Sequence, residues 1–428
     1  MNKRNFIKTL ALSSFSGPLL ANNSSKVLQD LESVIANYET QSPDEIARNE
    51  DFWAAIRGGY RLKPDYINLE NGYYCFTPQE TLEAFISRVR EVNYQGSYYM
   101  RTTQWDDKAA VRKRLADLVG CSHEEVIITR NTTESLDTVI AGFDWKTGDE
   151  AVMAEQDYGA MLDMFKLQAR RYGIVNKMVS IPNHPKSDEE IVEIYAKAIT
   201  PKTRLLMVCH IINITGHILP IKKICDMAHA KGVDVMVDGA HAINHFNFKI
   251  SDLGCDYYGS SLHKWLSTPL GAGLLYVRKE KIANLWQMFG DMGYKDDDIR
   301  KLNHTGTHPV HTDLAINAAL DYQQKIGIER KEARLRYLQT YWTSKVREIQ
   351  NIVVNTPADP KRHCGIANVG VSTMKPADLA KTLMDKYKIW TVAIDYANVH
   401  GVRVTPNIYT TTAELDIFVN ALKDLAKA

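Results

Sequence analysis

The chain has 428 residues, 45% of them hydrophobic and 24% charged, enough apolar material for the core of one large or two ordinary domains and too much for a disordered or fibrous protein. With 52 Lys and Arg against 51 Asp and Glu the formal charge is +1, which excludes a broad basic surface that binds nucleic acid by neutralising phosphates. No uncharged apolar run reaches the about eighteen residues of a membrane-spanning helix, so a soluble mature protein is expected.

The opening reads as an address. Lys3, Arg4 and Lys8 precede a short, weakly apolar stretch and then Gly17-Pro18-Leu19-Leu20-Ala21, the order of an export signal over residues 1–21. Lys3-Arg4-Asn5-Phe6-Ile7-Lys8 resembles a twin-arginine signal with Lys in the first arginine position. A periplasmic protein is therefore expected, the alternative being a cytoplasmic one with an amphipathic tail. Six scattered cysteines without a C-x-x-C pair suggest neither a zinc ribbon nor a disulfide scaffold. Cys209, inside an apolar run, reads as a buried small hydrophobe.

Residues 22–70 form an N-terminal segment, helical over 28–51, expected to pack with the small domain at the other end of the chain. A loop rich in Asn, Gly and Tyr follows at 68–74. From there to about residue 312, β-branched runs at 126–129, 205–208 and 233–237 alternate with helical stretches at 134–142, 160–172, 188–199 and 221–231. That alternation predicts an α/β fold, a large domain over 71–312 whose mostly parallel sheet is covered by helices on both faces. Residues 313–428 open with helical sequence through 350. Short strands (366–371, 390–394, 401–405) and helices (376–387, 413–426) follow, as in a smaller α+β domain.

Ligands of parallel sheets gather at the carboxyl ends of the strands, and the residues there form an ordered set. Thr132 and Thr133 fall between a strand and a helix, where free amide groups and the helix dipole favour a phosphate. Asn213 follows the next buried strand. Asp238 ends a hydrophobic strand, where a lone carboxylate is costly unless a cation such as a protonated pyridine nitrogen faces it, and His241 stands just beyond. Ser261 and His263 can donate to the same anion, and Lys264 offers an amine for a Schiff base with a carbonyl. Together these types describe a pyridoxal phosphate site.

At this point the sequence resembles the class V aminotransferase family of fold type I pyridoxal phosphate enzymes, in its isopenicillin N epimerase-like branch. The likeness runs from Asn68-Leu69-Glu70-Asn71-Gly72-Tyr73 to Arg403-Val404-Thr405-Pro406. Its most specific stretches are Val237-Asp238-Gly239-Ala240-His241, Asp256-Tyr257-Tyr258, Ser261-Leu262-His263-Lys264-Trp265-Leu266 and Pro269-Leu270-Gly271-Ala272-Gly273. The resemblance implies that Lys264 is the cofactor lysine and proton-transfer base, that Asp238 faces the pyridine nitrogen, and that His241 and Asn213 lie near the phenolic oxygen. It implies that Tyr158, in Asp157-Tyr158-Gly159-Ala160, stacks on the ring. Thr307 matches a phosphate contact from the neighbouring subunit, hence a homodimer with its site at the interface. Arg403 matches the clamp on the substrate α-carboxylate, with Asn71 a further substrate contact. The expected activity is aminotransferase-type chemistry on an amino acid or an amino-acid residue of a small peptide, with epimerisation or C–S elimination as alternatives on the same scaffold.

Relatives that are cysteine desulfurases carry a nucleophilic cysteine shortly before this arginine, whereas residues 388–402 contain none, which disfavours persulfide chemistry. Cys364 lies too far upstream to substitute. Two readings from other classes compete. A metal-dependent hydrolase would draw on His304, His308 and His311 or on the i, i+4 pair His241 and His245, but neither set is complete. A non-catalytic ligand carrier has no need for both Lys264 and Arg403. Gly271-Ala272-Gly273 has Tyr276 where a dinucleotide motif needs its third glycine. The aromatics Tyr73, Tyr74, Tyr98, Tyr99 and Trp105 either pack or shape a substrate pocket.

Overall fold

The computed structural model of the protein describes residues 31–427. The export signal read at residues 1–21 lies outside them, as does the start of the N-terminal segment. That segment breaks where proline dictates. Pro43 occupies the first turn of helix Pro43–Ala47, behind a Ser42 capping box with Glu45, and helix Glu50–Arg57 follows. Strand β1 (Ile67–Asn68) then leads into the Asn/Gly/Tyr loop.

The large sheet is built from β2 (Val126–Thr129), β3 (Glu150–Ala154), β4 (Val175–Val179), β5 (Thr203–Cys209), β6 (Asp234–Asp238), β7 (Tyr257–Ser261) and β8 (Gly273–Val277), in the spatial order β2-β8-β7-β6-β5-β3-β4. All neighbours are parallel except those of β8, which runs antiparallel to both β2 and β7. Period-two alternation feeds two cores. Leu206, Val208, Val235 and Val237 face one, while Leu205, Met207 and Met236 face the other, together with Leu136, Val139 and Ile140 of helix Thr132–Gly142. Both faces being covered explains why these strands read as continuous apolar runs.

The predicted helix over 313–350 is two helices, Val310–Ile326 and Ile328–Thr343, because Gly327 between them has φ of 83° and ends the first. Beyond them β9 (Ile352–Val354), β10 (Ala367–Val371), β12 (Val392–Tyr396) and β13 (Val399–Val404) form an antiparallel sheet, backed by helices Pro376–Tyr387 and Thr412–Leu425. The strand expected at 390–394 is divided. β11 (Ile389–Trp390) pairs in parallel with β1, and β12 begins a tight hairpin with β13 in which Tyr396 opposes Val399.

Chain ends and small sheet are tied together by arginines. Arg334, on helix Ile328–Thr343, donates to Ala47 O at 2.9 Å and Glu50 Oε1 at 2.6 Å. Arg57 forks onto Glu414 at 2.8 and 3.0 Å. Among the described residues no helix is long and apolar enough to cross a membrane.

Candidate active site

A cavity of about 380 Å³ opens where the carboxyl ends of β2, β3, β5, β6 and β7 meet β13 of the small sheet, lined among others by Thr132, Thr133, Tyr158, Asn213, Asp238, His241, Ser261, His263, Lys264 and Arg403. The volume lies in the range of small-ligand pockets. Each side chain arrives there for a local reason. Asn131 caps helix Thr132–Gly142 by accepting from Glu134 N–H at 2.9 Å, which starts the helix at the cavity wall. Ser261, ending β7, accepts from Thr132 N–H at 3.0 Å and lies 2.7 Å from the Thr132 hydroxyl. Tyr158 precedes helix Gly159–Tyr172 and remains 46% exposed.

Asp238 ends β6 with its carboxylate buried and accepts from Ala240 N–H at 2.9 Å. Burial raises its pKa, opposed by the Ala240 bond and the nearby Lys264. Lys264 Nζ lies 3.0 Å from His241 Nε2. Burial pushes the Lys264 amine down to about 8, opposed chiefly by Asp238. His263 is pushed down to about 4, first by burial and then by Lys264, and is neutral near pH 7. His263 Nδ1 and Asn213 Oδ1 are buried at the cavity without a hydrogen-bond partner among the described residues, which suits them to a polar ligand.

Arg403, on β13, is buried and forked onto Glu70, Nη2 to Oε1 at 2.6 Å and Nε to Oε2 at 3.0 Å, with Nη1 donating to Asn213 O at 3.3 Å. Gly72 allows this placement, since a Cβ there would stand 2.8 Å from Arg403 Cζ. Glu70 is the carboxylate that sequence reasoning passed over. Its partner is 333 residues away, so no local pattern could reveal it.

Two expected residues do not line this chain's own cavity. Asn71 is wholly buried and does not line the cavity. Its side chain donates to Thr405 O at 2.7 Å and accepts from Tyr409 at 2.6 Å and Asn68 at 2.9 Å. Its polar atoms staple the loop after β1 to the segment that follows β13. Thr307 lies on the exposed loop before helix Val310–Ile326, away from this chain's own cavity. Cys209, read as a packed hydrophobe, is buried but also lines the wall.

The histidines of the metal reading diverge. His304 faces Asp291 at 3.3 Å, His308 faces Asp313 at 3.1 Å, and His311 lies against Phe85. His245 Nδ1 is 2.7 Å from His241 O, and its Nε2 accepts from Gly365 N–H at 2.8 Å.

The donor set suits pyridoxal phosphate group by group. Helix-start amides, two threonine hydroxyls, Ser261 and His263 would hold a phosphate, Asp238 a pyridinium nitrogen, and Lys264 an aldehyde. A family model described as Aminotransferase class-V matches residues 77–418. Isopenicillin N epimerase of Amycolatopsis lactamdurans is 28% identical over 401 residues, covering 88% of this chain and 99% of that protein. A probable cysteine desulfurase of Methanothermobacter thermautotrophicus is 24% identical, covering 89% and 98%. Among solved structures, the apo cysteine desulfurase of Thermococcus onnurineus NA1 is similar with a TM-score of 0.77 at 22% identity, covering 87% of this chain and 97% of that one. With that match laid over a cavity of this composition, the chain belongs to the aminotransferase class V family of pyridoxal phosphate enzymes.

Proposed function

We propose that this enzyme moves protons at the Cα of an amino acid, or of an amino-acid residue in a small peptide, in aminotransferase-type chemistry with Lys264 as the base. The observation that carries the reading is that Lys264 is the one amine among the described residues lining the cavity, with its pKa lowered to about 8, between Asp238 and Arg403. Pyridoxal phosphate, when bound, supplies an electron-withdrawing ring that weakens the bonds at the substrate Cα. The Asp238 carboxylate would hold a proton on the ring nitrogen, and that cation would in turn lower the carboxyl pKa that burial has raised. Thr132, Thr133, Ser261 and His263 would hold the phosphate. The distal edge of Arg403, not taken by Glu70, would receive the substrate carboxylate. Lys264 then takes and returns protons on the face of Cα that it occupies.

A single amine base suits transamination, in which a proton leaves and returns on one face. Epimerisation is the second reading, favoured by the isopenicillin N epimerase likeness across nearly that whole protein. It needs a donor on the opposite face, for which Tyr158 and Tyr73 are the phenols lining the cavity. Transfer of sulfur to an enzyme thiol is less well supported, since the segment read as the place for such a cysteine is here the β12–β13 hairpin, with none; β-elimination of a C–S bond needs only the Cα base and is a third reading.

The test is incubation of the purified protein with pyridoxal phosphate, amino acids and a 2-oxo acid acceptor in heavy water. Release of a new 2-oxo acid supports transamination. Inversion with Cα deuteration and no 2-oxo acid favours the epimerase. Failure of any amino acid to exchange at Cα, with the cofactor bound, removes the reading.

The reading includes an exported protein and a homodimer. The first rests on residues 1–21; N-terminal sequencing of protein from the periplasmic fraction checks it, and an unprocessed cytosolic chain overturns it.

A further inference from the structure

Trp265, fully buried, directly follows Lys264 and lies stacked on His245, ring centroids 3.7 Å apart at 10°. Its Nε1–H donates to His241 Nδ1 at 3.3 Å. An indole nitrogen donates and never accepts, so His241 Nδ1 carries no proton, and a neutral imidazole keeps its proton on Nε2. That nitrogen is the one 3.0 Å from Lys264 Nζ. Two donors cannot share one hydrogen bond. The amine therefore has to accept on its lone pair, which only the unprotonated form possesses.

We propose that Trp265 is a positioning residue that fixes the His241 tautomer and, through it, holds Lys264 as a free amine. An ammonium at Lys264 would need His241 to accept at Nε2, which places a proton on Nδ1 against the indole N–H. The platform beneath is fixed as well. His245 accepts from Gly365 N–H at Nε2, so its own proton is on Nδ1 and donates to His241 O at 2.7 Å. Asn244 Nδ2 donates to Trp265 O at 3.2 Å, and the buried Lys331 amine donates there too.

The charges around His241 agree with a neutral imidazole, while those around Lys264 mostly favour its proton and are outweighed by burial. His241 faces Lys264, Arg403, His245 and His263, and none is an anion that stabilises an imidazolium. Lys264 faces Asp238, Glu70 and Cys75, which favour its proton, and Arg403, which opposes it. The indole adds what charge alone does not: a geometric preference for the lone pair.

The experiment uses the full chain without added cofactor, labelled with ¹⁵N-histidine. Long-range ¹H–¹⁵N correlation reads the tautomer of His241 directly, with its signals assigned by their loss in His241→Gln. An Nε2–H pattern is expected in the wild type, and an Nδ1–H pattern or an imidazolium near pH 7 overturns the proposal. In Trp265→Phe, which keeps the ring and loses the donor, the Nδ1–H form should appear. The pH midpoint for capture of added pyridoxal phosphate, followed by absorbance, should also rise from the wild-type value. A rise of one pH unit slows capture at pH 7 about tenfold, and an unchanged midpoint with an unchanged tautomer overturns the proposal. If Trp265→Phe does not fold, the wild-type tautomer alone decides. The role given to Lys264 rests on the function proposed above, but the tautomer does not. A chain that captures no cofactor yet shows Nε2–H fails the functional reading and leaves the tautomer standing.

Discussion

At Arg403 the guanidinium meets a buried internal carboxylate before any substrate arrives. Glu70 takes the Nε and Nη2 fork, fixing the plane of the group and leaving its outer edge toward the cavity. Removing one charge of a buried pair leaves the other uncompensated. Glu70→Gln should therefore cost about 3 kcal/mol of folding stability in a denaturant titration. It should also raise KM for an amino-acid substrate about tenfold with kcat little changed, as expected when ground-state and transition-state binding suffer alike. A lower KM in that variant would mean that Glu70 competes with the substrate instead of orienting its clamp. This pair also shows where sequence stops being informative. Strand-end residues such as Asp238 and Lys264 could be found because the strand pattern gives their place and their chemistry narrows their use. Glu70 and Asn71 stand side by side in one motif, yet which of them touches the arginine is decided by a β1 loop folding against β13 across the whole chain.

Helices and strands place these groups, and their ends are the sensitive parts. The strands that alternate between the two cores were legible as apolar runs with helices between them, because burial on both faces leaves a plain compositional trace. The break at Gly327 carried a local signal in the glycine itself, which the helical composition around it overrode, whereas the division of the 390–394 strand left none, because β11 pairs with β1 from far earlier in the chain. Helix Thr132–Gly142 starts at the cavity wall, and Asn131 caps that end. Asn131→Ala should lower stability by about 1 kcal/mol and weaken pyridoxal phosphate binding measured by absorbance titration; unaltered cofactor affinity would place the phosphate elsewhere. Helix Ile328–Thr343 contributes Lys331, whose amine reaches Trp265 O and, at 3.0 Å, Gln323 Oε1. Burial pushes that amine down to about 7 from an ordinary 10.5. Between those values the unfolded chain holds more protons than the folded one, so this group makes stability rise with pH across the window and fall as pH drops toward 7, below which both states are protonated. In Lys331→Met the contribution disappears. The slope of unfolding free energy against pH between about 8 and 10 should fall by up to about 1.4 kcal/mol per unit.

The whole chain presents a cavity whose mouth is apolar and open. Tyr73 and Leu270 line it at 77% and 60% exposure, and Trp105, Trp286 and Met292 add further exposed apolar surface. Thr307 stands on an exposed loop outside its own cavity, and in the proposed homodimer it would serve the other copy. If two subunits share each site, mixing two disabled chains restores function in a countable way. Lys264→Ala lacks the base and Thr307→Arg blocks the contact made to the neighbour, so each homodimer is inactive. In a mixed dimer, the site keeping Lys264 receives its Thr307 from the Lys264→Ala chain and is intact, while the other site carries both lesions. Random exchange makes about half the dimers mixed, each with one intact site, so about a quarter of wild-type turnover should return. If Thr307 serves its own chain, no combination rebuilds a site and the mixture stays inactive. If Thr307 serves none, Thr307→Arg alone remains active. Light scattering on the same samples, giving the mass of two chains, ties any recovered activity to the dimer.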